Sequence, residues 1–141
     1  MPEQRVIVDA GPLVAFLVEE DAHHEWAATQ FKVLPPPFLT CEPVLTEAFY
    51  LTHRLRDGGR RFFDLLTSGL LVVQFELMAE CRVLAPLVRK YADLPMSLAD
   101  ACLVRMAEVN VNAVVFTVDG HFRLYRKHGR QVIPTIMPPG V

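Results

Sequence analysis

Val6-Ile7-Val8-Asp9-Ala10-Gly11-Pro12-Leu13 is the stretch that decides the fold. Three consecutive β-branched residues predict a short buried strand. Asp9 ends it, and Gly11–Pro12 leads into an apolar helix running through Leu17. A strand that stops at an acid and turns at once into a helix opens a β-α unit. The pattern returns far downstream, where Ala113 to Val118 is strongly β-like and ends at Asp119.

Between these two strand ends, short apolar runs alternate with helical ones. A second helix is predicted over residues 22 to 33, and Pro35, Pro36 and Pro37 mark a turn after it. Phe38 to Cys41 reads as a short strand. Pro43 suits the first position of a helix carrying Leu45, Phe49 and Leu55 on its apolar side. Gly58–Gly59 separates that helix from another across Phe62 to Leu66. Leu70 to Phe75 is a strand candidate, followed by helix up to Tyr91 that Pro86 is expected to kink or split. Ser97 caps a helix reaching about Val109. Val132 to Ile136 is a last strand, placed at a sheet edge because Pro134 interrupts it. The alternation predicts an α/β fold with a mainly parallel sheet covered on both faces. Ligands gather beyond the carboxyl ends of such strands, where Asp9 and Asp119 both fall.

Length and composition agree with one domain, residues 1–141, with a real core. Hydrophobic residues make up 52% and charged residues 21%, values of a folded globular chain. No apolar run approaches a membrane span, and Asp9 interrupts the only candidate for a signal peptide. Cys41, Cys81 and Cys102 are odd in number and in no metal-ligand spacing, so they read as reduced core residues of a cytoplasmic protein. A net charge of −2 argues against broad nonspecific nucleic-acid binding, though a local basic patch is compatible with it.

Most acids have polar neighbours, as in Glu19-Glu20-Asp21, and read as solvated surface. Asp9, Glu47, Asp100 and Asp119 stand among apolar residues. Desolvating a carboxylate is costly without a partner, and several converging acids repel unless a cation joins them. Hard oxygen donors favour Mg²⁺ or Mn²⁺. Each acid also has an ordinary structural explanation: Asp9 as a helix cap or Asx turn, Asp100 as the third residue of a capping box with Ser97, Asp119 as part of a turn with Gly120. Glu47, inside a helix and flanked by apolar residues, has no capping role. Glu42 fits a helix start instead.

The four segments in order, V-I-V-D-A-G-P-L at 6–13, L-T-E-A-F at 45–49, S-L-A-D-A at 97–101 and F-T-V-D-G-H-F at 116–122, resemble PIN domains, and especially VapC-like toxins of toxin–antitoxin pairs. The resemblance spans Val6 to Pro138. It implies a three-layer α/β/α fold with the acidic quartet on Asp9, Glu47, Asp100 and Asp119 as catalytic residues and ligands of Mg²⁺ or Mn²⁺. Thr117 matches a hydroxyl residue two positions before the last acid. His121 stands where many relatives carry another Asp or Asn, which puts a second metal position in doubt; a partly exposed loop histidine is the plainer reading. The implied activity is endonucleolytic hydrolysis of RNA to 5′-phosphate and 3′-hydroxyl ends, with metal-activated water as nucleophile. The implied partners are RNA, a cognate antitoxin and a second copy in a homodimer, with no membrane.

An acidic pocket repels RNA, so basic residues elsewhere must hold it. Arg54 and Arg56 with Arg60 and Arg61 form one cluster; Arg123, Arg126, Lys127, His128 and Arg130 form another. For any one of these, a solvated face is the ordinary reading, and residues 54 to 61 alternatively face a partner. Other classes fit less well. A haloacid-dehalogenase-type phosphatase wants an acid where Gly11 stands, a receiver domain wants paired acids after its first strand, and no P-loop or Gly-x-Gly-x-x-Gly occurs. The large insertions of flap-endonuclease relatives are absent. A non-catalytic PIN-like module that binds RNA or protein is the remaining alternative.

Overall fold

The computed structural model describes residues 3–141. Its strands form two sheets. Five parallel strands make the larger one: β1 (Arg5–Val8), β2 (Phe38–Thr40), β3 (Leu71–Val73), β4 (Ala113–Phe116) and β7 (Thr135–Ile136), in the order β3-β2-β1-β4-β7. The remaining two, β5 (Arg126–Lys127) and β6 (Gln131–Val132), form a small antiparallel hairpin. Six helices flank the sheet in an α/β/α arrangement: α1 (Ala10–Leu17), α2 (His24–Val33), α3 (Glu42–Thr52), α4 (Gly58–Thr67), α5 (Leu77–Lys90) and α6 (Leu98–Val109). A 3-10 turn, η1 (Gly120–Arg123), follows β4.

The two most apolar runs of the sequence become neighbouring strands. β1 and β4 pair along their whole length, from Arg5 opposite Ala113 to Val8 opposite Phe116, and Val6, Ile7, Val8, Val115 and Phe116 are wholly inaccessible. Their burial follows from helices packing on the sheet. Phe31 and Trp26 of α2 set their rings 5.1 and 5.3 Å from that of Phe116. Helix α6 packs against β1, β4 and α5 and buries seven of its residues, which is why it reads as apolar nearly all round.

Chain order reverses at β1. From it the chain builds β2 and β3 on one side, then crosses to place β4 and β7 on the other. The crevice of this switch point opens between the ends of β1 and β4, where Asp9 and Asp119 follow the last strand residues.

Several boundaries differ from the sequence reading. Helix α5 is not split at Pro86. Arg82, whose carbonyl loses its helical donor there, is an exposed residue, a setting in which an orphaned carbonyl costs least. Leu55 is not on α3: that helix ends at Thr52, and Leu55 is exposed. The last strand is two pieces, with Val132 in the hairpin and Thr135–Ile136 at the sheet edge, divided by Pro134. Cys81 is not a core residue, because it lies on the outward face of α5. His24 Nδ1 lies 2.7 Å from the Ala15 carbonyl oxygen, tying the start of α2 to α1.

Candidate functional site

Asp9 is the most buried acid of the quartet, 7% exposed. Its backbone leaves β1 still extended, so its side chain caps α1: Oδ1 accepts from the Ala10 N–H at 2.7 Å. Its Oδ2 accepts from the Thr117 hydroxyl, also at 2.7 Å. That hydroxyl in turn accepts from the Asp119 N–H at 2.9 Å. A single fully buried threonine thus pins both strand ends together. Burial pushes Asp9 up to about 7, against the lowering effect of the Thr117 and Ala10 hydrogen bonds and with a further push from the charges of Asp100 and Glu47.

Asp119 caps η1, its Oδ1 accepting from the His121 N–H at 2.9 Å. The His121 ring folds back over the same oxygen, with Nδ1 at 3.2 Å. Asp100 arrives on the first turn of α6 in a complete capping box. Its backbone N–H donates to the Ser97 hydroxyl, and its Oδ2 accepts from the Ser97 N–H, both at 3.0 Å. The box holds the carboxylate at the positive end of the helix, which favours its charge. Glu47 departs from the sequence argument. It is exposed, because Val44 and Ala48 occupy the buried stripe of α3. Its carboxyl end nevertheless turns inward far enough that partial burial, then the charges of Asp100 and Asp119, raise its pKa. All four acids are therefore electrostatic neighbours.

Two features escaped the sequence. Tyr125, on the chain between η1 and β5, is wholly buried, and its hydroxyl donates to Asp100 Oδ2 at 3.4 Å. Burial and the charges of Asp100, Asp119 and Asp9 push that phenol far up, so it stays a donor. No sequence signal marks it among Leu124, Arg126 and Lys127. The buried thiols of Cys41 and Cys102 also meet in a hydrogen bond, which together with burial pushes the Cys41 thiol up. Cys41 precedes α3 and Cys102 lies in α6, so this contact joins the supports of Glu47 and Asp100.

Four carboxylates make an all-oxygen donor set suited to a hard divalent cation. Among the described residues, no three His, Cys, Asp or Glu side chains close on one position. Arg54, Arg56, Arg60 and Arg61 lie around the turn from α3 to α4. Arg60 is held by Asp64 at 3.0 Å and Asp57 at 3.8 Å, and Arg56 and Arg61 line a cavity with Glu19, Glu20 and Asp57. Arg123, Arg126, Lys127, His128 and Arg130 follow Asp119 on η1 and the hairpin.

The fold and this acid-lined switch point define a class. The chain belongs to the PIN domain family, whose model matches residues 6–127. Among solved structures it is similar to Mycobacterium tuberculosis VapC20, a sarcin-ricin loop cleaving toxin: 21% of residues are identical, the TM-score is 0.71, and the match covers 82% of this chain and 90% of that one. At that identity the likeness is one of fold. No curated protein sequence matches the chain significantly. Among the described residues, no helix is long and apolar enough to cross a membrane.

Proposed function

We propose that this protein is a Mg²⁺- or Mn²⁺-dependent endoribonuclease of the cytoplasm, the toxin of a VapBC-type toxin–antitoxin pair. The observation that carries the reading is the Thr117 bridge, which holds Asp9 and the Asp119 loop at one switch point facing Asp100 and Glu47. Asp9, Asp119, Asp100 and Glu47 would hold the cation. When bound, it supplies neutralisation of charge on the phosphate and activation of water.

The chain's own groups do the rest. Thr117 fixes one oxygen of Asp9 and the backbone after β4, so the two inner carboxylates keep their separation. Tyr125 donates to Asp100 and steadies its orientation. Glu47, the most solvent-facing of the four and with a raised pKa, is placed to accept a proton at its carboxylate from the attacking water. Burial of Asp9 keeps bulk water from its side of the pocket.

Partners follow from the same reading. A groove of about 950 Å³ beside Glu47 has Tyr50, Leu77, Met78 and Leu98 on its walls and Glu42 and Glu76 at its edge. It fits an antitoxin segment that brings apolar side chains and one basic residue. A homodimer is proposed as well, and Arg54, Arg56, Arg60 and Arg61 as outer, weaker RNA contacts.

The deciding experiment incubates the purified protein with single-stranded and structured RNA in Mg²⁺, Mn²⁺ or EDTA, beside Asp9→Asn and Asp100→Asn. Cleavage that requires the cation and vanishes in both variants supports the enzyme. Cation binding and RNA binding without cleavage favour the non-catalytic module, and cleavage unchanged in the variants points to a contaminant.

A further inference from the structure

We infer that η1 and the β5–β6 hairpin form the surface on which the RNA backbone enters the acid pocket, with Arg123 gripping the phosphate nearest Asp119. The inference rests on the ribonuclease reading and adds to it the path of the substrate. From Gly120 to Val141 the chain contains no Asp or Glu, yet Arg123, Arg126, Lys127 and Arg130 fall within it. Among the described residues, none of these four cations has a carboxylate within ion-pair distance. The cluster at 54 to 61 has acids interspersed with it: Arg60 is ion-paired with Asp57 and Asp64, and Arg56 and Arg61 share a cavity with Glu19, Glu20 and Asp57. Phosphate binding draws on cations that are not already neutralised, and a chain of net charge −2 must gather them locally.

Position favours the same surface. Asp119 caps η1, so Arg123 is one turn from a pocket acid. Its guanidinium folds back along that turn, with Nη1 only 3.8 Å from where a Cβ on Gly120 would stand. The hairpin behind it is fixed. The Arg126 N–H donates to the Tyr91 hydroxyl at 2.9 Å, Lys90 Nζ donates to the Gly129 carbonyl at 2.9 Å, and the His128 N–H donates to Glu108 at 2.7 Å. Tyr125 ties the same segment to Asp100. A cationic platform anchored in this way gives the backbone register without reading bases, as phosphate contacts do.

The test measures binding apart from turnover. Full-length protein in EDTA is titrated into a labelled single-stranded RNA and a labelled stem-loop, and anisotropy is followed across a salt series. Arg123→Ala/Lys127→Ala is expected to weaken binding about tenfold or more and to lower the salt slope by about 2. Arg123→Lys should retain most of the affinity, and Arg54→Ala/Arg56→Ala, which removes only outer contacts, should cost a smaller loss of about threefold. The inference is overturned if the Arg123/Lys127 variant keeps wild-type affinity and slope, or if the Arg54/Arg56 variant loses as much. Should wild type cleave RNA while the Arg123/Lys127 variant binds normally, the nuclease stands and this surface falls. Binding lost in that variant with no cleavage by any protein would do the reverse. Wild-type protein that binds neither RNA overturns this surface, and the cleavage assay then decides the enzyme separately.

Discussion

β1 and β4 lie side by side in register, and each ends in an acid that caps the next element, yet the two corners are built to opposite effect. Asp9 enters a full helix whose first turn is covered, and both its oxygens are taken by buried donors. Asp119 enters a single 3-10 turn, leaving its side chain 35% exposed under a histidine ring. The same strand–acid–helix pattern therefore produces an anchor at one corner and an open face at the other. What differs is how much chain covers the acid afterwards, not the acid or the strand.

The comparison breaks most sharply under substitution by asparagine. Asp9→Asn and Asp119→Asn are each expected to lower RNA cleavage at least about a hundredfold, since even the outer partners of metal ligands cost 10–100-fold. Their stabilities should part. Without cation, Asp9→Asn is expected to melt higher than wild type at pH 8, while Asp119→Asn melts with it. Equal melting shifts would mean the two corners are not different environments.

A pH series sharpens the point. The Asp9 pKa rises from 3.8 to about 7 on folding. Between those values the folded state keeps a proton that the unfolded chain has released, so this group lowers stability as pH rises through the window. The full cost, on the order of a few kcal/mol, is reached above pH 7. The melting-temperature gap between Asp9→Asn and wild type should widen from pH 4 to 7 in EDTA, then level off. Added Mg²⁺ should shrink it. A gap that stays flat across the series would show that Asp9 is not desolvated.

Thr117→Val tests the bridge between the corners. It leaves the Asp119 N–H and one Asp9 oxygen without their partner, at roughly 1–3 kcal/mol, read as a lower denaturation midpoint. Thr117→Ser should remain near wild type. The smallest effect belongs to His121→Ala, expected to change cleavage by no more than about threefold, because an exposed ring over a half-buried carboxylate contributes little. A larger loss would place the ring in the reaction.

Legibility in the sequence follows the same division. Asp9 and Asp119 can be read because strand ends are local events, and Asp100 because a capping box is a four-residue pattern. Glu47 is found for an incomplete reason: its sequence neighbours are apolar, but on a helix they face another way. Tyr125 and the Cys41–Cys102 contact leave no trace, since each depends on elements far apart in the chain. The hairpin strands are too short to carry a period, and whether Pro86 divides its helix depends on surroundings that the proline alone does not announce.

Gly11 shows what the arrangement demands of its scaffold. A Cβ there would stand 2.3 Å from Val118 Cγ2, so the Val118 side chain, next to Asp119, lies against the first turn of α1 only because that atom is missing. In a helix, alanine would ordinarily be the better residue by roughly 0.5–1 kcal/mol. Anyone engineering this protein for heat resistance by filling helical glycines would choose Gly11 early and would force Val118, beside Asp119, out of its place. Stability has been surrendered at this position in favour of proximity, so a thermostable variant must find its gains elsewhere.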